Sequence, residues 1–153
     1  MPPITVLVAD HKKSGRAACL RLLQPEKGIQ VVGEARSGLE AIGAAAKLKP
    51  NILLFHMNLF KGKKIDLLWA LREKSPRTKA ILLTVRPSDE KILEALSYGA
   101  QGYLKENAIN TFLPKAVRMV NTGEAWLPRR MVAKIIDMTV FRLGRERGRN
   151  IGN

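Results

Sequence analysis

The chain has 153 residues, of which 46% are hydrophobic, so it is long and apolar enough to bury the core of one globular domain, and global disorder is excluded. Lys and Arg total 27 against 13 Asp and Glu, which gives a net charge of +14. This charge favours polyanionic partners or, alternatively, a solvated basic surface without a dedicated partner.

Apolar runs alternate with stretches of helical periodicity along the first four fifths of the chain. The predicted strands are residues 4–9, 29–35, 51–56, 80–85 and 101–104. The predicted helices are residues 14–23, 38–48, 65–74, 89–98 and 111–121. The strands are rich in Val, Ile and Leu without strict alternation, which is typical of parallel sheets buried on both faces. We therefore expect an α/β fold, with a doubly wound, five-stranded parallel sheet in flavodoxin-like order.

The pattern changes after Gly123, where a linker leads into a sixth helix. We expect a domain over residues 1–123, a linker with an extra C-terminal helix over residues 124–141, and a basic tail over residues 142–153. The tail has four arginines and three glycines and too few apolar residues to form a core. It is therefore predicted to be mobile.

Five segments, in collinear order over about residues 4–140, carry a family resemblance. They are ITVLVADH (4–11), VVGEARSGLEAI (31–42), LLT (82–84), GAQGYLK (99–105) and NTGEAWLP (121–128). Together they resemble bacterial response-regulator receiver domains of the NarL/LuxR type. The resemblance implies a cytoplasmic protein of two-component phosphorelay signalling and transcription regulation. In that subfamily a helix-turn-helix domain follows the receiver, and the chain could be part of such a regulator or a receiver on its own.

The resemblance also places the phosphorylation pocket and indicates that it is degenerate. His56 stands at the position of the aspartate that accepts the phosphoryl group, and Ala9 replaces the first of two acidic residues, which leaves Asp10. Thr84 matches the switch hydroxyl. The position of the conserved lysine of these domains falls on Glu106, one residue after Lys105. Because successive residues of a strand point to opposite faces, Lys105 is expected to point away from the pocket. One acid and an imidazole are a poor Mg²⁺ site, and we expect no metal and no cofactor.

Three interpretations of His56 are open. It could be a neutral residue that fills the pocket and bonds to Asp10. It could be a transition-metal ligand together with Asp10 and His11. It could also be a phosphohistidine or a pH-responsive group.

Basic residues are frequent in the loops that follow the predicted strands. Because these loops meet at one edge of a parallel sheet, their basic residues are predicted to form a rim that could bind an anion. The rim consists of Lys12, Lys13, Lys61, Lys63, Lys64 and Arg86.

The sequence therefore predicts a signalling and interaction module that is independent of phosphorylation and is not an enzyme. No Ser/His/Asp order, CxxC or HExxH motif is present. We expect a protein partner or self-association through the surface of the fourth helix, fifth strand and fifth helix, by way of Ile92, Ala95, Tyr98 and Tyr103. The alternative is a domain that binds nucleotide, phosphate or nucleic acid, without sequence preference, through the basic rim. The single cysteine and the absence of a signal-like N-terminus favour a reducing cytoplasm over a membrane.

Overall fold

Five apolar segments form one parallel β-sheet in a computed structural model that describes residues 2–60, 66–86 and 88–151. The strands are β1 (Ile4–Ala9), β2 (Ile29–Ala35), β3 (Ile52–His56), β4 (Lys79–Thr84) and β5 (Ala100–Lys105). They lie in the order β2-β1-β3-β4-β5, and all neighbouring pairs are parallel. The predicted doubly wound sheet is confirmed. Strand β3 lies in the middle of the sheet and is buried along its whole length, which explains its continuous apolar sequence.

Helices cover both faces of this sheet. They are α1 (Lys13–Leu23), α2 (Gly38–Leu48), α3 (Asp66–Lys74), α4 (Asp89–Ser97), α5 (Ile109–Asn121) and α6 (Arg129–Ile151). Side chains of α1 and α5 pack into the core on one face, and those of α2, α3 and α4 pack into the core on the other. None of the helices in the described part of the chain is both long and apolar enough to span a bilayer.

The segment after α5 is attached to the edge of the sheet. The backbone N–H of Tyr103 donates to the Trp126 carbonyl at 2.9 Å, and the Trp126 N–H donates to the Gln101 carbonyl at 3.1 Å. These bonds extend the sheet by one bridge beside β5 and fix the point from which α6 begins.

Helix α6 packs against α4 through its first turns. Met131 is fully buried in the core, while Arg130 and Lys134 contact the two carboxylate oxygens of Asp89 at 3.4 and 3.1 Å. The helix continues to Ile151, beyond the end predicted at residue 141, so helical structure extends into the segment predicted as a tail.

Candidate functional site

His56 ends the central strand β3 and is almost completely buried. Its Nε2 lies 2.8 Å from Oε2 of Glu106, and its Nδ1 accepts a hydrogen bond from the Asn58 backbone N–H at 3.1 Å. Because Nδ1 acts as the acceptor, the proton of a neutral ring must be on Nε2, which therefore donates to the carboxylate of Glu106. Both ring nitrogens are thus occupied.

The predicted bond between His56 and Asp10 is wrong. Glu106 is the partner because it is the first residue after β5, in a short 3-10 turn that directs its side chain towards the end of β3. The side chain of Glu106 is half exposed, so the pair lies between the core and solvent. Lys105, the residue before it, is exposed and lines a cavity beside Trp126 instead.

Asp10 is held in place by neighbours other than His56. Its Oδ1 accepts hydrogen bonds from the Lys12 backbone N–H at 2.9 Å and from Nδ2 of Asn58 at 2.8 Å. A Cβ atom at Gly15 would clash with Oδ2 of Asp10. The Asp10 carboxylate therefore occupies the space beside the first turn of α1 in which a side chain at residue 15 would lie.

Asn58 connects these groups and was not identified from the sequence. Its amide nitrogen donates to Asp10, its Oδ1 accepts from the His11 backbone N–H at 3.2 Å, and its own N–H donates to His56. The available signal was its position two residues after the end of a buried strand, where a polar side chain lies beside the loop that follows β1.

The remaining predicted pocket residues lie at the same edge of the sheet. Ala9 is the last residue of β1, Thr84 is the last residue of β4, and both are buried. Parallel strands end together at this edge, so Ala9, Asp10, His56 and Thr84 all lie at the carboxyl edge of the sheet.

The predicted metal alternative receives no support within residues 2–60, 66–86 and 88–151. No group of three or more His, Cys, Asp or Glu residues there could hold a metal ion. His56 has no free ring nitrogen, and the Oδ1 atom of Asp10 already accepts two hydrogen bonds.

Only part of the predicted basic rim can be placed. Lys12 and Lys13 are exposed at the start of α1, and Arg86 is exposed after β4. Lys61, Lys63 and Lys64 lie outside the described residues.

A cavity of about 510 Å³ also opens near this edge and is lined in part by Arg36, Glu40 and Asn58. The Arg36 backbone N–H lowers the pKa of Glu40 by hydrogen bonding, so a carboxylate offsets the Arg36 charge there.

The residues predicted for the interaction surface need a correction. Ile92, Ala95 and Tyr103 are buried in the core, and Tyr98 is partly buried against it. They face inward because the sheet face beneath α4 is apolar. In this conformation only Tyr98 of these four residues has exposed surface that a partner could contact.

Comparisons with known proteins give the family of the chain. The family model described as the response regulator receiver domain matches residues 6–118. The DNA-binding transcriptional activator DevR/DosR of Mycobacterium tuberculosis is 29% identical over 133 residues, which are 87% of this chain and 61% of that protein. The nitrate/nitrite response regulator NarL of Escherichia coli K12 is 32% identical over 122 residues, which are 80% of this chain and 56% of that protein.

A solved structure shows the same fold. The isolated receiver domain of RcsB from Salmonella enterica serovar Typhimurium, in its apo form, superimposes with a TM-score of 0.78 at 22% identity, and covers 88% of this chain and 98% of that one. The chain spans about three fifths of the length of the curated relatives it matches. On the family match and these relatives, the chain belongs to the response regulator receiver domain family and is of the NarL type.

Proposed function

We propose that this chain is a pseudo-receiver, a NarL-type receiver domain that lacks the phosphoacceptor aspartate and signals through protein contacts without aspartyl phosphorylation. The observation that carries the proposal is the hydrogen bond between Nε2 of His56 and Oε2 of Glu106. By family resemblance, His56 stands at the acceptor position and Glu106 in the register of the conserved lysine. An imidazole thus stands where receivers have the acceptor carboxylate, and a carboxylate stands where they have the lysine.

This exchange opposes phosphoryl transfer in two ways. An approaching phosphoryl group is negatively charged and would meet the carboxylate of Glu106, which repels it. The imidazole offers no free lone pair, since Asn58 donates to Nδ1 and Nε2 carries the proton. A phosphohistidine at residue 56 would require both hydrogen bonds to break.

Metal binding is opposed for a separate reason. Mg²⁺ in phosphoryl-transfer sites is held by carboxylates that supply oxygen ligands in octahedral geometry. Ala9 has no ligand atom, and Oδ1 of Asp10 is already shared between Lys12 and Asn58. Asp10 alone is therefore expected to bind Mg²⁺ too weakly to assist phosphorylation.

The output of the module is proposed from its relatives. One of them is by name a DNA-binding transcriptional activator and another is a nitrate/nitrite response regulator. We infer a role in transcription regulation, exerted by contact with a protein partner or a second copy through the face formed by α4, β5 and α5. Helix α6 covers part of α4 there, so the accessible part includes the exposed ring of Phe112 on α5.

Polyanion binding is the second candidate, and the net charge of +14 favours it. Lys12, Lys13 and Arg86 are exposed near the carboxyl edge of the sheet, and Arg142 and Arg145 are exposed on α6. Binding through such residues would be sequence-independent and salt-sensitive.

A titration with Mg²⁺ and beryllofluoride tests the pseudo-receiver proposal. The matched control is Ala9→Asp combined with His56→Asp and Glu106→Lys, which restores both acids and the cation in register. A ligand at 100 times its Kd stabilises a folded protein by about 2.7 kcal/mol. We expect no change in the thermal unfolding of the natural chain and a saturable increase in Tm for the control. A saturable increase in the natural chain would contradict the proposal.

A further inference from the structure

A cavity of about 390 Å³ lies on the opposite side of β5 from His56, between that strand, the start of α5 and the start of α6. Its walls include Tyr103, Lys105, Ala108, Phe112, Trp126 and Arg130. This volume falls within the range of small-molecule sites, which are mostly apolar with a few polar groups that orient the ligand.

Two aromatic rings form one wall of the cavity. The ring centroids of Phe112 and Trp126 are 5.8 Å apart, and the ring planes are inclined at 48°. Trp126 is fixed by its backbone bonds to β5, so the wall is largely preformed. The side chain of Phe112 is 41% exposed, so it has apolar surface that a flat ring can cover.

Tyr103 adds a polar group that has no partner. The residue is only 3% exposed, and among the described residues its hydroxyl is the one buried side-chain nitrogen or oxygen without a hydrogen bond. Almost all buried polar groups in proteins form hydrogen bonds, so a buried hydroxyl without a partner requires an explanation. Burial raises the pKa of Tyr103, so the hydroxyl keeps its proton at neutral pH and can donate to an acceptor.

The two charged residues that line the cavity, Lys105 and Arg130, are both positive. Lys105 is exposed at its wall, and Nζ of Lys115 lies 6.0 Å from the centroid of the Trp126 ring. Three acids are close in the chain or in space: Asp89 pairs with Arg130, Glu106 bonds to His56, and Glu124 is exposed two residues before Trp126. Among the described residues, Lys105 and Lys115 form no ion pair, so an anionic group can meet a cation there.

We propose that this cavity is a binding site for a small, flat aromatic molecule that carries an anionic group. The ring of the ligand packs against Phe112 and Trp126, and the anionic group lies near Lys105. The hydroxyl of Tyr103 is buried in this structure, and a small movement of its side chain lets it donate a hydrogen bond to an oxygen of the ligand. The inference does not depend on the pseudo-receiver proposal, because none of these residues belongs to the His56 pocket. Because Trp126 and Arg130 flank the start of α6, a bound ligand contacts the segment that positions this helix.

The probe for the test is 1-anilinonaphthalene-8-sulfonate, an aromatic anion. A Trp69→Phe background leaves Trp126 as the only tryptophan, so that energy transfer from Trp126 to the probe reports binding near the cavity. N-phenyl-1-naphthylamine has the same rings without the sulfonate and serves as the matched neutral probe. Near-UV circular dichroism confirms that each variant is folded before titration.

We expect saturable binding of one probe molecule, and binding of the neutral probe at least tenfold weaker. Lys105→Gln should weaken binding of the anionic probe at least fivefold and Tyr103→Phe at least threefold. Ala108→Leu, which fills the cavity, should abolish binding. The controls Lys91→Gln and Tyr98→Phe should change it less than twofold.

Two results would overturn the proposal. The first is an absence of saturable binding up to millimolar probe in the folded Trp69→Phe protein. The second is binding that Lys105→Gln, Tyr103→Phe and Ala108→Leu leave unchanged, because the probe would then bind elsewhere on the surface.

Discussion

The Nε2 atom of His56 donates to Oε2 of Glu106 across 2.8 Å, and the two residues are 50 positions apart in the chain. His56 ends β3 and Glu106 follows β5, so the bond crosses the end of β4 and links the carboxyl ends of its two neighbouring strands. Under the proposed pseudo-receiver function, this imidazole and this carboxylate stand where receivers have a carboxylate and a lysine.

Loss of the Glu106 carboxylate should destabilise the fold. Glu106→Ala leaves the nearly buried Nε2–H of His56 without an acceptor, which costs about 1–3 kcal/mol. Glu106→Gln retains an acceptor oxygen and should cost less. Urea denaturation measures both. Equal stability of Glu106→Ala and the natural protein would mean that the bond contributes nothing.

Gly15 is expected to be intolerant of any side chain. A Cβ there would clash with Oδ2 of Asp10, so Gly15→Ala must displace the carboxylate and break its bond to Asn58. We expect a destabilisation of about 1–3 kcal/mol, the usual cost of overpacking.

Gly43 provides the matched control, because it lies inside α2 and an added Cβ would have no atom within 4 Å. Gly43→Ala should be neutral or stabilise by up to about 1 kcal/mol. Combining Gly15→Ala with Asp10→Ala should recover part of the loss, because the clash is removed. If Gly15→Ala behaves like Gly43→Ala, the close contact is absent in solution.

The docking of α6 on α4 should weaken in acid. The hydrogen bond from Lys134 lowers the pKa of Asp89 below its ordinary value of 3.8, and Arg130 adds to this effect. A lowered carboxyl pKa stabilises the folded state above the ordinary pKa, and this stabilisation is lost as the pH falls through the lowered value. Asp89→Asn should therefore be less stable than the natural chain at pH 6, and the difference should shrink as the pH falls below 3.8. A difference that does not vary with pH would contradict this account of the ion pair.

Any binding to duplex DNA should be sequence-independent and should weaken steeply with salt. Each phosphate neutralised contributes about −0.9 to the slope of log K against log salt. Arg142→Gln with Arg145→Gln tests α6, and Lys12→Gln with Lys13→Gln tests the loop after β1. The pair that contacts DNA should make the slope shallower by up to about 1.8 in fluorescence titrations. Negligible binding of DNA by the natural chain would mean that the basic residues form a solvated surface without a nucleic-acid partner.

The fold could be predicted from the sequence because each strand is a short apolar run between helix-period segments. The position of His56 followed from the same pattern, since a residue at the end of the central strand must lie at the carboxyl edge. Its partner did not follow, because the direction of Glu106 depends on the turn after β5. The role of Asn58 arises from three contacts that form only when loops distant in sequence meet.

The end of α6 was also beyond sequence reasoning. Gly144 and Gly148 lower helix propensity and favoured an earlier end, yet the helix continues to Ile151. Its first turns are anchored by Met131 and by the contacts with Asp89, which supply the costly helix nucleus, and further turns extend from it more easily.

Restoring phosphorylation should require more than the acceptor alone. His56→Asp still lacks the second acid at residue 9, and it places a new carboxylate beside Glu106. We expect this single variant to bind Mg²⁺ no better than the natural chain in isothermal titration calorimetry. Micromolar Mg²⁺ binding by the single variant would show that Asp10 and one further acid suffice.

Intact-mass spectrometry after incubation with Mg²⁺ and a small-molecule phosphodonor shows directly whether the natural chain accepts a phosphoryl group. We expect the natural chain to keep its mass, while the variant with Ala9→Asp, His56→Asp and Glu106→Lys gains one phosphoryl group. A stoichiometric phosphoryl adduct on the natural chain, at His56 or at any other residue of the pocket, would contradict the pseudo-receiver proposal.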